Sequence, residues 1–333
     1  MTTDKKPEIW IAKAIGITLV AYGHFGSMLD KPAWYALSKE WVYLFHMPLF
    51  LMLSGYLFHR TLQRYTSREV VLRAFKRLII PYLIFAYLIT LLQVLQLRGS
   101  DEGVTWQMFV SPLYEAQTGS SNYLWFLPAL FILQIFAVMF KPAVANTGLL
   151  IAGLFYLFRI GVFSNSYLFF PLDTQVFFLS YVSYYGLYFF IGLKLAEFAS
   201  TRLSALQLAF IGVFFALSSW ASLALDLAEP LVGMLKLLAG VSGSFLVWQC
   251  CKYFTPSGFA FRPLVEVGKN SDVIYLFHIF PIYFMSLVSL RIGLFGMCLI
   301  SGIILAIGMS ELICAYLLPK SLFLRIVFGR NNK

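Results

Sequence analysis

The sequence runs to 333 residues, 60% of them hydrophobic and only 12% charged, with a mean hydropathy of +0.80. A water-soluble domain of this length needs roughly 25% charged residues to solvate its surface, so a soluble chain is excluded and much of the outer surface faces lipid. A formal net charge of +10 would suggest nucleic acid in a soluble protein, but Lys and Arg here lie between apolar runs, which points to membrane orientation and to no nucleic-acid partner.

A spanning helix takes roughly 20 mostly apolar residues. The predicted spans are 9–29, 41–58, 78–97, 123–140, 148–163, 176–198, 203–225, 231–249, 272–290 and 294–318, the second and fifth being short. The first follows Lys5 and Lys6 as a signal sequence would, yet it contains Lys13 and His24 and no small-x-small cleavage site follows it. It reads as a retained span. Residues 104–113 suggest a short interfacial helix, and Lys141-Pro142, Glu229-Pro230 and Pro319 supply stops. No internal repeat is visible, and the loops 59–77, 98–122 and 250–271 are too short for a soluble domain. Residues 1–333 therefore read as one all-α, polytopic membrane domain.

Charge bias orients the ten spans. With the N-terminus cytoplasmic, 18 Lys and Arg fall on the cytoplasmic side and four (Lys31, Lys39, Arg98, Arg291) on the other, leaving Lys13, Arg159 and Lys236 within spans. That bias places both termini in the cytoplasm. Cys250, Cys251, Cys298 and Cys314 show neither disulfide-scaffold nor zinc spacing and are expected as free thiols.

Ionisable residues inside spans are costly to bury and mark function unless paired. They are Lys13, His24, Arg159, Lys236, His278 and Glu311, with His46 near the start of the second span. Lys13 and His24 stand eleven residues apart, which is about 16 Å and three turns of helix. One face thus offers a cation in the cytoplasmic half and a base toward the outer half. That suits a reaction whose substrates arrive from opposite sides. Two blander readings stand beside it: an ion pair of Lys13 with Glu311, and a packing histidine bonded to a nearby carbonyl.

In the second span His46 enters at a depth comparable with His24, Pro48 falls in the first turns, and Ser54-Gly55 permits close helix approach. In loop 59–77, Arg73, Lys76 and Arg77 share helical spacing before Leu78 and Pro81. They suit a phosphorylated cytosolic ligand or, more plainly, anionic lipid. Asn122 and Trp125 open the fourth span, where Trp125 is ordinary interfacial material by default. Ser271 or Asp272 is expected to cap the ninth span, with Asn270 on nearby backbone and His278 in the cytoplasmic half.

The run from Lys13 to His24, the run from Phe45 to Phe58, Lys76-Arg77-Leu78-Ile79-Ile80-Pro81-Tyr82, Trp125-Phe126-Leu127 and the run from Ser271 to His278 occur in this order. Together they resemble membrane acyltransferase family 3, which includes bacterial O-acetylases of O-antigen and exopolysaccharide and a fucose O-acetylase-like branch. The resemblance implies a ten-helix inner-membrane enzyme that moves an acyl group, usually acetyl, from cytosolic acyl-CoA to a sugar hydroxyl on an envelope glycan or lipid-linked sugar. No cofactor is permanently bound, and no metal is called for. It implies that His24 is catalytic and that Lys13, where many members carry arginine, is the basic residue of the first helix. His46, Trp125 and Asn122 would support or bind the acceptor, and Arg73, Lys76 and Arg77 the CoA phosphates. Ser54, Gly55, Ser271, His278 and Glu311 would be structural. No Gly-x-Ser-x-Gly elbow supplies a serine nucleophile, so direct transfer with His24 as base is preferred to an acyl-enzyme. A glycan or lipid flippase, or a non-catalytic partner in envelope synthesis, is the alternative. A flippase predicts a repeated half, which the sequence lacks.

Overall fold

A computed structural model describes residues 6–26, 30–97, 103–114, 123–140, 143–163, 176–198, 202–254 and 261–328. The helices are α1 (Pro7–His24), α2 (Ala33–Arg64), α3 (Ser67–Ala74), α4 (Ile80–Leu97), α5 (Gln107–Tyr114), α6 (Phe126–Met139), α7 (Val144–Arg159), α8 (Leu179–Leu195), α9 (Ala205–Ala224), α10 (Glu229–Cys251), α11 (Arg262–Lys269), α12 (Ser271–Phe277), α13 (Ile279–Ile292), α14 (Phe295–Leu312) and α15 (Leu322–Val327). No strand occurs among the described residues. The protein is an all-α membrane protein, and every predicted span coincides with helix. Among the described residues five helices are long and apolar enough to cross a bilayer, and six if the bent pair α12–α13 counts as one; α6 and α7 are shorter apolar helices. The interfacial helix expected over 104–113 is α5. All four cysteines are free thiols.

Three sequence expectations change. The second span is not short: α2 has 32 residues, because helix continues past the charged edges at Lys39-Glu40 and His59-Arg60 where hydropathy stops. Pro48 therefore lies in the helix interior rather than in its first turns, where it removes an amide donor and disturbs the preceding turn. The Ser244 hydroxyl donates to the Phe45 carbonyl at 3.1 Å beside that disturbance, a side-chain substitution of the kind membrane helices use around proline. The ninth span is broken by 46° between α12 and α13, with His278 at the break.

The chain divides into two compact units. The first comprises residues 1–50 and 200–324, and α1 is its centre, packed by α10, α11, α12, α13 and α14. Close approach depends on missing side chains. A Cβ on Gly268 would stand 1.9 Å from the Trp10 carbonyl oxygen, so α11 seats directly on the α1 backbone. The second unit comprises residues 51–199 and 325–333. Here the later half of α2 crosses α8 with their backbones in contact: a Cβ on Gly55 would lie 1.9 Å from the Phe189 oxygen, and one on Gly192 would lie 2.0 Å from the Met52 oxygen. The pairing of small residues expected at Ser54-Gly55 thus holds at Gly55. Capping boxes start α3 (Thr66 with Glu69) and α9 (Ser204 with Gln207). A π-helical turn, Phe75–Ile79, joins α3 to α4.

Candidate active site

α1 ends at His24 because the chain leaves helix there: Phe25 is extended, and Gly26 takes a left-handed φ of 68°, which glycine adopts without strain. The last carbonyls of a helix have no amide partners. Three tyrosine contacts from α2 add partners here, and the Tyr22 oxygen also accepts the Phe25 amide at 3.3 Å. The Tyr35 hydroxyl lies 2.6 Å from the Tyr22 oxygen and 2.9 Å from the Phe25 oxygen, sharing its proton between them. Tyr43 donates to the Gly23 oxygen at 3.0 Å. The Gly26 amide donates to Ser286 Oγ of α13 at 3.1 Å. His24 is therefore held on a helix end whose polar groups are fixed from two other helices.

Around it lie two more imidazoles. The His278 ring centroid is 5.0 Å from that of His24, and His278 Nε2 is 3.3 Å from His24 Nδ1. His278 Nδ1 is 2.7 Å from the Tyr275 oxygen, and His24 Nδ1 is 2.9 Å from the Val20 oxygen. Carbonyls only accept, so both Nδ1 atoms are assigned as N–H donors. In a neutral imidazole the other nitrogen then carries the lone pair. Nε2 of His278 accepts a share of the His24 Nδ1 proton, and Nε2 of His24 is left as the basic atom. His46 repeats the pattern, with Nδ1 2.8 Å from the Val42 oxygen. Its ring meets Tyr43 edge-on at 4.8 Å, so it touches the residue that caps Gly23. Exposure separates the three: His278 is 0% and His46 2% exposed, whereas His24 keeps part of its surface open.

The expectation that His278 lies in the cytoplasmic half is corrected, because it meets His24 at the opposite end of α1. Gly268 seats α11 on Trp10 in the first turn of α1, and the chain then runs along α1 toward its far end. Ten residues on from Gly268, His278 meets His24. The capping expectation is corrected too: neither Ser271 nor Asp272 caps α12, which starts after Asn270 with no side-chain cap. Asn270 Nδ2 instead donates to Glu311 Oε2 at 2.8 Å, and Ser271 is buried. Lys13 shares one unbroken helix with His24, and its ammonium lies 5.3 Å from the Trp10 ring centroid.

The other predicted residues lie in the second unit or outside the described residues. Arg73, Lys76 and Arg77 are exposed, the last two on the π-helical turn, a feature frequent at functional sites. The Arg73 guanidinium lies 3.9 Å from the Tyr65 ring centroid. Trp125 stacks on Tyr181 with centroids 4.2 Å apart and planes 10° apart. Ser54 is half-buried. Asn122 lies outside the described residues. Sequence reasoning missed Tyr35 and Tyr43. The only signal for either was an apolar-looking helix start rich in aromatics.

Among the described residues no group of three or more His, Cys, Asp or Glu gathers as metal ligands would. The site offers a supported, partly open imidazole on a helix that also carries a cation, which can take a proton from a hydroxyl and return it to a leaving group. No curated protein and no solved structure matches the chain. The family profile described as an acyltransferase domain, that of acyltransferase family 3, matches residues 7–318, from the first residue of α1 through the π-helical turn after α14. The chain belongs to acyltransferase family 3.

Proposed function

We propose that this acyltransferase moves an acyl group, acetyl by family habit, from cytosolic acyl-CoA to a hydroxyl of an envelope or exported glycan in the inner membrane, with His24 as general base. The observation that carries the assignment is that His24 alone of the three clustered imidazoles combines open surface with an Nδ1 tied to a carbonyl. In the reaction, His24 Nε2 takes the sugar hydroxyl proton as the oxygen attacks the thioester carbonyl. The tetrahedral intermediate collapses, the C–S bond breaks, and the imidazolium returns the proton to the departing CoA sulfur. Both termini are cytoplasmic in this reading, so Lys13 faces the donor side and His24 the acceptor side.

His278 holds the His24 ring from behind rather than touching substrate. His278→Leu is expected to lower kcat about tenfold or more, because it removes an orienting partner of the kind that fixes tautomer and ring angle, while KM for donor and acceptor stays near wild type. His278→Gln, which keeps an acceptor, should recover part of kcat. A changed KM with unchanged kcat would place His278 in the binding surface instead.

The exposed cluster Arg73, Lys76 and Arg77 is assigned to the CoA phosphates. Charge-assisted bonds to phosphate contribute about 1.5–3 kcal/mol each, so Arg73→Ala should weaken CoA binding about tenfold by calorimetry. Arg64→Ala, at the end of α2 and 5.5 Å from the same Tyr65 ring, should change it less than twofold. Equal, small effects would favour a lipid-anchoring role. The break at His278 would also suit a substrate path in a flippase, and thermal stabilisation by CoA separates the readings, because a flippase has no use for CoA. Reconstitution with labelled acetyl-CoA and candidate glycans tests the whole reading.

A further inference from the structure

The second unit contains a polar aromatic cluster around a cation that the proposed chemistry does not use. Arg159 is the last residue of α7. Its Nε is buried and has no hydrogen-bond partner, and an unmet buried donor on a charged group is costly. Its charge acts on Tyr156 and Tyr184, whose rings meet at 5.4 Å and 41°. Tyr184 meets Tyr185 edge-on at 4.9 Å. Trp125 stacks on Tyr181 and, at 4.9 Å and 26°, on Tyr185. Arg159, Trp125, Tyr181, Tyr184 and Tyr185 are all half-buried, so the cluster has an open rim.

The chain enters this cluster under strain. Phe177 and Phe178, immediately before α8, both have left-handed backbones, with φ of 51° and 60°. Such conformations are unfavourable for residues other than glycine and persist where surrounding structure enforces them, often at functional sites. The Tyr82 ring holds Phe178 edge-on at 5.8 Å, and Tyr82 donates to the Pro112 oxygen at 2.6 Å. The turn sets the start of α8, and so the positions of Tyr181, Tyr184 and Tyr185 on its first two turns.

The geometry points to a binding site in the second unit for a sugar bearing an acidic group, phosphate or carboxylate, with Arg159 on the anion and the Trp125–Tyr181–Tyr185 rings against the sugar. Guanidinium presents a fork of donors that matches phosphate and carboxylate oxygens. Tyrosine and tryptophan combine apolar ring surface, which fits the C–H face of a pyranose, with polar edges for its hydroxyls. Its use as an acceptor site rests on the acyltransferase reading, and it makes the acceptor an anionic or phosphate-linked sugar rather than a neutral one. On the charge-derived orientation, the end of α7 lies on the extracytoplasmic side, where an exported glycan is found.

Calorimetry on the full chain in neutral detergent, without acyl-CoA, tests this. Glucose 1-phosphate is expected to bind at least tenfold tighter than either glucose or glycerol 1-phosphate. Arg159→Gln should remove the preference over glucose, and Arg159→Lys, which keeps the charge and should keep the fold, should weaken glucose 1-phosphate severalfold. Equal binding of glycerol 1-phosphate would make the site a lipid-headgroup contact and overturn the proposal. So would equal binding of glucose, or undiminished affinity in Arg159→Lys and Arg159→Gln. Binding needs no donor, so a protein that binds glucose 1-phosphate as expected but transfers no label from acetyl-CoA would overturn the acyltransferase mechanism and leave this site standing.

Discussion

Gly192→Val is expected to leave little folded protein, with monodisperse material in detergent reduced to a small fraction of wild type and the remainder melting roughly 10 °C lower or more. The first added carbon would lie 2.0 Å from the Met52 oxygen, 2.6 Å from its carbonyl carbon and 2.7 Å from its Cα. These are backbone atoms in the middle of α2 and cannot rotate away. The same crossing is tight from the other side, where Gly55 meets the Phe189 oxygen, so the helices cannot shift toward each other's free space. Relief requires α2 and α8 to separate along their contact. Ordinary overpacking costs about 1–3 kcal/mol. Helix association in a membrane draws its stability from close packing of this kind rather than from exclusion of water, so separation forfeits more. Gly153→Ala is the matched control. Its Cβ would meet nothing within 4 Å, and alanine favours helix by up to about 1 kcal/mol, so its melting temperature should equal or slightly exceed wild type.

His24→Ala is expected to lower the rate of acyl transfer by about 10²–10⁴-fold, the usual range for a positioned general base, with CoA affinity within twofold of wild type. A sugar hydroxyl is a poor nucleophile at neutral pH, and most of the loss falls on kcat because the proton moves only in the reacting complex. His24 is half-buried as a residue, so its truncation should be tolerated better than that of the fully buried His278. His46→Ala should behave differently. His46 is 2% exposed and packs on Tyr43, so its loss acts through the cap on Gly23 and should lower stability together with activity. Equal melting curves for His46→Ala and wild type would argue against that support role.

The fold was legible in the sequence to the extent that hydropathy and charge carry it. Ten apolar segments coincide with helices, and the short interfacial helix appears at Gln107–Tyr114, since burying backbone in lipid leaves few alternatives to helix. The common face of Lys13 and His24 was legible because one unbroken helix, Pro7–His24, carries both. The partnership of His24 with His278 was not. The two are 254 residues apart in sequence, and their meeting follows from the close seating of α11 on α1 at Gly268 and Trp10, a contact no periodicity reports. The length of α2 was misread because hydropathy marks where lipid ends and helix does not stop there. Asn270 was placed on nearby backbone because a polar residue before an apolar run resembles a cap, whereas its amide reaches Glu311 on another helix. Arg159 was visible as an intramembrane cation, but its tyrosine surroundings come from two helices joined through a long connection.

The proposed reaction is direct acyl transfer to a glycan with His24 as the base. It is tested most directly in proteoliposomes given labelled acetyl-CoA and an acceptor glycan, by counting label on the glycan and on the protein after an acid quench. Wild type is expected to give labelled glycan with no label retained on the protein, and His24→Ala protein that still binds CoA to give at least a hundredfold less label on the glycan. Glycan labelling by that variant at the wild-type rate would contradict it.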